Sequence, residues 1–396
     1  MHQPPLSRRS ALLGLSSAFV LGRASLAVAA AATDQRFAVV ILRGAMDGLS
    51  AVVPYGDPDL ARWRPELLPP QPGQPGGMLD LGGFYGLHPA LTGMHQMYRD
   101  GELLAVHAVA GHYRSRSHFE AQDYLESGAD QRMDSGWLNR ALSFLPKPAL
   151  PNEEPAVALS VTVPLLLRGT VGVATWAPPT FDPLDADLYL RIVALNQADP
   201  VTGPALLDAV RQRGFSERML ASRTPPRNQD AFASLCGAAA RLMRAPDGPR
   251  VAALELEGWD THTGQPFRLA AALTELDTGL VELKKELGDI WKQTVVLVVT
   301  EFGRTVRADG TLGTDHGTGT AAFVAGGRVA GGRVQANWPG LAQRNLFEDR
   351  DLQPTADLRE IGKGLLAAHL GMTPAAVLHA FPGSESVPPM ERLLRA

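Results

Sequence analysis

Several short runs rich in valine, isoleucine and leucine, each followed by a glycine-containing turn, constrain the fold of this chain most. Runs of this length predict β-strands that are buried on both faces of a parallel sheet. The turns after them carry acidic, histidine, serine or arginine residues: Asp47, Ser117 and His118, Asp260 and His262, and Glu301 and Arg304. Because ligands of open α/β sheets bind at the carboxyl ends of the strands, these side chains are predicted to meet at one edge. Oxygen and nitrogen ligands beside a hydroxyl indicate a metal-assisted hydrolase site.

The spacing of these runs predicts an α/β fold with a mostly parallel central sheet flanked by helices. Strands are expected at 37–42, 103–109, 251–256, 295–299 and 321–325. Helices are expected around 88–101, at 269–287 and from about 357. Proline-rich segments interrupt the alternation between about 134 and 230, which predicts a mixed insertion or cap there. No second domain is required, so 33–396 is expected to be a single domain.

Residues 1–32 have the pattern of a twin-arginine signal peptide. Arg8 and Arg9 precede an apolar stretch from Ala11 to about Leu21, followed by small residues that suit cleavage. The stretch is too short to cross about 30 Å of hydrocarbon, and no other segment is a candidate membrane span. Phenylalanine is usual where Ala11 stands, so an ordinary general-secretion signal remains the alternative. The pattern predicts export by the twin-arginine translocase to the periplasm or beyond.

Composition argues against a nucleic-acid-binding protein and against an internal disulfide. A net charge of −4 with 20% charged residues gives no basic excess for nucleic-acid binding. The single cysteine, Cys236, cannot form an internal disulfide, and its apolar helical surroundings predict a buried position.

Asp260 and His262 form the most specific pair of candidate metal ligands. They are two positions apart in GWDTH, so in extended backbone both side chains project to the same side. A carboxylate and an imidazole together are typical of zinc or mixed-metal sites. Asp47 can supply a further anionic oxygen from the turn after the first strand. The alternatives are a helix cap at Asp260 with His262 on the surface, and a simple Asp-Gly turn at Asp47.

The late part of the chain adds further candidates. Glu301 ends the most apolar run, where burying a carboxylate is costly unless it is paired or metal-bound. Arg304 is a candidate catalytic residue because a guanidinium can bind phosphate or sulfate through two donors. Alternatively, Glu301 and Arg304 pair with each other. Asp315 and His316 lie in a glycine-rich loop, and His316 is the stronger metal-ligand candidate of the two.

Ser117 is the candidate nucleophile. It stands at the predicted start of a helix, where the helix dipole stabilises an alkoxide or a bound anion, and a nearby metal lowers the hydroxyl pKa. Ser117 and Glu120 also fit a capping box, which explains both residues without catalysis. Arg114 and Arg116 can receive an oxyanion, while histidines in the positions of His112 and His118 are more often structural.

Motifs spread over nearly the whole chain carry a family resemblance. They are LRGAMDGLS, LHPALTGM, SRSHFEAQDYLESG, GWDTHTGQ, VVLVVTEFGRT and DHGTGTAAFVAGG. Together they resemble a bacterial exported family, domain-of-unknown-function family 1501. That family is similar to the alkaline phosphatase and sulfatase superfamily, whose members place two divalent metals and a Ser, Thr or formylglycine nucleophile at the strand ends.

The resemblance implies a nucleophile at Ser117 and metal ligands at Asp47, Asp260, His262, Glu301 and His316. Two features depart from the superfamily. Glu301-Phe302 replaces the usual Asp-His pair after the late strand, with Asp315-His316 coming later, and the Asp260-to-His262 spacing is tighter. These departures imply that one metal is missing or that the site no longer turns over.

The implied function is a periplasmic metal-dependent hydrolase of phosphate or sulfate esters. Its cofactor is then one or two divalent ions (zinc, manganese, magnesium or calcium), and its substrate a small anionic ester. The alternative is a non-catalytic exported binding or assembly protein with a degenerate alkaline phosphatase-like site. Metal content of the purified protein discriminates between the two.

Overall fold

The computed structural model describes residues 34–146, 154–178 and 231–395. The predicted signal peptide and residues 179–230 of the predicted insertion lie outside the described residues. None of the helices in these three ranges has the length and hydropathy needed to cross a membrane.

The described strands form a large central sheet and a small one. In chain order they are β1 (Arg36–Leu42), β2 (Val52–Val53), β3 (Leu79–Asp80), β4 (Gly86–Leu87), β5 (Leu103–Ala110), β6 (Ala156–Ala158), β7 (Ala174–Thr175), β8 (Val251–Leu256), β9 (Thr294–Thr300), β10 (Thr320–Ala325), β11 (Arg333–Gln335) and β12 (Ala356–Asp357). The central sheet has the order β11-β5-β10-β9-β1-β8-β6-β7, with β12 also beside β5. The small sheet has the order β2-β4-β3.

Helices cover both faces of the central sheet. The α-helices are α1 (Gly48–Ala51), α2 (Leu60–Trp63), α3 (Thr92–Arg99), α4 (His118–Ser127), α5 (Trp137–Leu142), α6 (Ala231–Arg244), α7 (Gln265–Leu287), α8 (Leu358–Ala368) and α9 (Pro374–Ala380). Short 3-10 helices lie at Pro65–Leu67, Leu165–Leu167, Gly288–Gln293 and Gln343–Asn345. A sheet flanked by helices confirms the predicted fold class.

The pairing of the central strands is mostly parallel, as predicted. β1 pairs in parallel with both β8 and β9, whereas β10 runs antiparallel to β9 and β5. Parallel neighbours need a crossover connection, usually a helix, and the described connection 301–319 from β9 to β10 contains none. β10 therefore returns against β9. Two reversals leave β5 running in the same direction as β1, β8 and β9.

The core lies on both sides of the sheet. Alternate residues of β1 point to opposite faces, so Ala38, Val40 and Leu42 pack with the cluster that includes α6 and α7. Phe37, Val39 and Ile41 belong to the cluster that includes α5, α8 and α9. Burial on both faces explains why β1 is apolar from Phe37 to Leu42.

Most predicted elements are confirmed, with shifts at their ends. α7 begins at Gln265 rather than at 269, directly after Gly264, whose left-handed backbone ends the preceding turn. α8 follows Asp357, whose side chain caps it in a capping box with Glu360. Cys236 is fully buried in α6, as its apolar surroundings predict.

Part of the predicted insertion builds the edge of the central sheet. Within 134–230, α5, β6 and β7 are described, and β6 pairs in parallel with β8 and β7. Strands of three and two residues are too short for a periodic pattern, so the sequence alone does not reveal them.

Candidate metal centre

Four ionisable side chains converge beyond the carboxyl ends of the parallel strands. Asp260 and His262 follow β8, His316 lies in the connection between β9 and β10, and His118 is the first residue of α4. Because β5, β8 and β9 run in the same direction, their carboxyl ends share one edge of the sheet, as the sequence predicts.

Three of these side chains form a compact triad, which we define as His118, Asp260 and His316. The Nε2 atoms of His118 and His316 are 3.0 Å apart. Asp260 Oδ1 lies 3.2 Å from His316 Nε2 and 3.6 Å from His118 Nε2. His262 Nε2 stands beside the triad, 3.0 Å from both His316 Nε2 and Asp260 Oδ1.

Hydrogen bonds on the far side of each ring turn the Nε2 atoms of the triad into acceptors. His118 Nδ1 lies 2.7 Å from Glu301 Oε1, and His316 Nδ1 lies 3.0 Å from the carbonyl oxygen of Arg116. Since a carboxylate and a carbonyl only accept, each Nδ1 donates, and each neutral ring carries a lone pair on Nε2. The two lone pairs then face each other and the Asp260 oxygen, an arrangement that suits a cation between them.

The donor set fits a zinc-type ion. Tetrahedral zinc bound at about 2.0–2.2 Å places neighbouring ligand atoms roughly 3.3–3.6 Å apart. The three distances within the triad, 3.0, 3.2 and 3.6 Å, lie close to this range. Imidazole nitrogens backed by a carboxylate or a carbonyl are typical of metal-ligating histidines.

Charges around the triad set its pKa values. The hydrogen bond to Glu301 raises the pKa of His118, although burial opposes this shift. Burial and the nearby His118 lower the pKa of His316. Burial disfavours ionisation of Asp260, yet the Arg304 hydrogen bond and charge hold its pKa below the ordinary value. The triad therefore presents an anionic carboxylate oxygen and two imidazole nitrogens.

Glu301 and Arg304 support the triad from behind. Glu301 is buried and accepts from the Gly44 backbone at 2.8 Å as well as from His118, so it orients His118 rather than belonging to the triad. Arg304 is also buried and donates to Asp260 Oδ1 at 2.7 Å and to Thr314 Oγ1 at 3.1 Å. Glu301 pairs with His118 and Arg304 pairs with Asp260, so the two residues do not pair with each other.

Asp47 and Asp315 lie outside the triad. Asp47 is fully buried, and its Oδ2 accepts from Arg64 at 2.7 Å and from Gln265 at 2.6 Å. Its other oxygen caps α1 through the Leu49 backbone, so Asp47 is saturated by groups of the chain itself. Asp315 is exposed and lies 3.5 Å from His262 Nδ1.

Ser117 occupies the N-cap position of α4, but its side chain makes no capping hydrogen bond with the described residues. The Glu120 carboxylate instead accepts from the Tyr113 hydroxyl, so the capping box that the sequence predicts does not form. Arg116 binds Asp351 and Glu348, which leaves its guanidinium engaged away from an oxyanion.

His118 is the member of the triad that the sequence alone did not single out. It follows Ser117, whose hydroxyl was the stronger candidate in that motif, and a single histidine at a helix start is most often structural. The deciding observation is its 3.0 Å approach to His316, which is 198 positions away in the chain.

The family described as a protein of unknown function (DUF1501) matches residues 110–381, which include every residue of the triad. The chain belongs to this family. That membership confirms the family resemblance carried by the sequence motifs. No curated protein matches the sequence.

Three solved structures are similar to the family member described here. The C-terminal periplasmic domain of EcEptC from Escherichia coli, in complex with Zn, shares 9% identity at a TM-score of 0.35, covering 74% of this chain and 73% of that chain. The phosphonate monoester hydrolase of Agrobacterium radiobacter shares 11% identity at a TM-score of 0.37, covering 86% and 74%. The alkaline phosphatase from the Antarctic bacterium TAB5 shares 11% identity at a TM-score of 0.35, covering 75% and 94%.

Proposed function

We propose that the protein is a metal-dependent hydrolase of phosphate or sulfate esters. The supporting observation is the convergence of three acceptor atoms, His118 Nε2, His316 Nε2 and Asp260 Oδ1, within 3.6 Å of one another. A set of two imidazoles and one carboxylate matches catalytic zinc sites, which use three protein ligands and keep a further position open. Magnesium and calcium prefer oxygen ligands, so zinc or a similar transition metal fits this triad better.

A bound ion of this type supplies a Lewis acid that withdraws charge from an ester oxygen. The residues of the chain hold and position it. Arg304 fixes the Asp260 carboxylate, Glu301 fixes the His118 ring, and the Arg116 carbonyl fixes the His316 ring. Loss of a group that hydrogen-bonds to a metal ligand in this way typically weakens metal binding 10–100-fold.

We assign the nucleophile to Ser117 and the proton donor to His262. Ser117 adjoins the ligand His118 at the N-terminus of α4, and its hydroxyl is not committed to a cap. Its oxygen forms the bond to phosphorus or sulfur, its proton passes to solvent, and the ester oxygen leaves. His262 has a side chain that is 42% exposed beside Asp260, and it gives its Nε2 proton to the leaving oxygen. Water then releases phosphate or sulfate from Ser117.

Metal analysis of variants tests this proposal. The purified protein is expected to contain about one equivalent of metal and to hydrolyse p-nitrophenyl phosphate or p-nitrophenyl sulfate. His118→Ala should lose the metal, whereas His262→Ala should keep it and lose turnover. His379→Ala, an exposed histidine on α9, is the matched control and should retain both. Wild-type protein without metal would overturn the proposal, and metal without hydrolysis would favour an exported binding protein.

We also propose that the protein is exported through the twin-arginine translocase as a single domain spanning 33–396. The support is Arg8-Arg9 before a short apolar stretch. Replacing both arginines with lysine should retain the precursor in the cytoplasm in a cell-fractionation assay. A double variant that still reaches the periplasm through the general route would refute the assignment.

A further inference from the structure

A cavity lies next to the triad. It encloses about 40 Å³ between one face of the sheet and helices α4 and α8, and its walls are mostly apolar. Val39, Ile41, Leu297 and Val299 of β1 and β9 form its base. Glu301 contributes to the wall, but none of the triad residues is among the described residues that line it. The cavity is therefore separate from the proposed catalytic site.

The cavity is also lined by a half-buried arginine that has a buried donor without a partner among the described residues. Arg359 binds Asp357 through Nε and Nη2, at 3.1 and 2.8 Å from the nearer carboxylate oxygens. Its Nη1 is buried and has no hydrogen-bond partner among the described residues. The Nη1 of Arg114 is likewise buried and unpartnered within the described part of the chain. A buried donor left unpaired is destabilising, and more so when it is charged, so two of them together point to a ligand.

Arg114 and Arg359 lie close enough to act electrostatically on each other and on Asp357. Burial, and then the charge of Arg359, lower the pKa of His112, which also lies on the cavity wall. Asp357 and Glu301 supply two carboxylates near the two guanidinium groups, so a ligand of this cavity would satisfy the unpartnered donors rather than a net charge.

We propose that this cavity binds a small carboxylate with a short apolar chain. The carboxylate accepts from the free Nη1 atoms of Arg359 and Arg114, and the chain lies against the apolar base. The enclosed 40 Å³ equals the space for about three water molecules, which limits the buried chain to a few carbons. A carboxylate brings a single negative charge towards Glu301, whereas phosphate would bring more. The proposal does not depend on the metal or on esterase activity.

Calorimetric titration with propionate tests the site in the purified full chain. Propionate should bind, and propionamide, its neutral isostere, should bind at least tenfold more weakly. Arg359→Gln and Arg114→Gln should each weaken propionate binding at least tenfold. Arg132→Gln is the matched control, because Arg132 is largely exposed and pairs with Asp123 on α4. It should bind propionate as the wild type does.

Two further arms separate this proposal from others. Carboxylates also bind zinc, so the titration is repeated with Asp260→Ala, which removes a triad ligand. Unchanged propionate binding by that variant supports the arginine site even if the hydrolase proposal fails. The inference is overturned if propionate binding disappears in Asp260→Ala, if it persists unchanged in both arginine variants, or if sulfate binds as tightly as propionate.

Discussion

Replacing Glu301 with glutamine tests whether a buried carboxylate behind His118 strengthens metal binding. Glu301 Oε1 accepts from His118 Nδ1 at 2.7 Å, Gly44 N at 2.8 Å and Gln122 Nε2 at 3.1 Å. A glutamine oxygen preserves these three bonds, and its amide nitrogen can donate to Thr300 Oγ1, which keeps its own bond to the Leu42 carbonyl. The substitution therefore removes charge and little else. We expect metal affinity to fall 10–100-fold, which is about 1.4–2.8 kcal/mol.

Competition against a fluorescent zinc chelator measures this change directly. Glu102→Gln is the control, because Glu102 is a half-buried carboxylate that pairs with Lys284 on α7 rather than with a triad residue. The metal-free Glu301→Gln protein should unfold at nearly the wild-type urea concentration, since its hydrogen bonds are kept. Zinc affinity within twofold of the wild type would refute the claim that Glu301 tunes His118.

Three further predictions concern stability and turnover. Ser117→Ala should change the free energy of unfolding by less than about 0.5 kcal/mol because no cap is lost, yet abolish p-nitrophenyl ester turnover; retained turnover would remove Ser117 from the mechanism. Arg64→Ala should cost about 3–5 kcal/mol in urea unfolding because it strands the buried Asp47 carboxylate, and a cost below 1 kcal/mol would contradict the buried pair. Burial lowers the pKa of His107 and of His369 to about 4, from 6.5, so both are neutral when folded and protonate first in the unfolded chain. The contribution of these histidines to the free energy of unfolding is therefore full above pH 6.5 and is lost between pH 6.5 and 4, by up to about 3 kcal/mol per histidine. His369→Gln should reduce this loss in urea titrations at pH 7 and 5.

The strands of the core were predictable because their residues need no knowledge of partners. β1, β5, β8 and β9 are mostly apolar, and burial on both faces of a parallel sheet favours that pattern. Short edge strands such as β6 carry no such signal, and their place in the sheet depends on the neighbouring β8. The reversed direction of β10 likewise follows from the connection before it.

The sequence by itself determined which segments supply the converging side chains and at which edge of the sheet they meet. Asp260 and His316 were identified from residue type and position after a strand, and both belong to the triad. Only the tertiary structure decided the role of each remaining side chain. His118 entered the triad, Glu301 became its support, and Asp47 was neutralised by Arg64. The physical reason is that the role of a carboxylate or an imidazole depends on the charged and hydrogen-bonding groups nearest to it in space. For Glu301 that group is His118, which is 183 positions away in the chain.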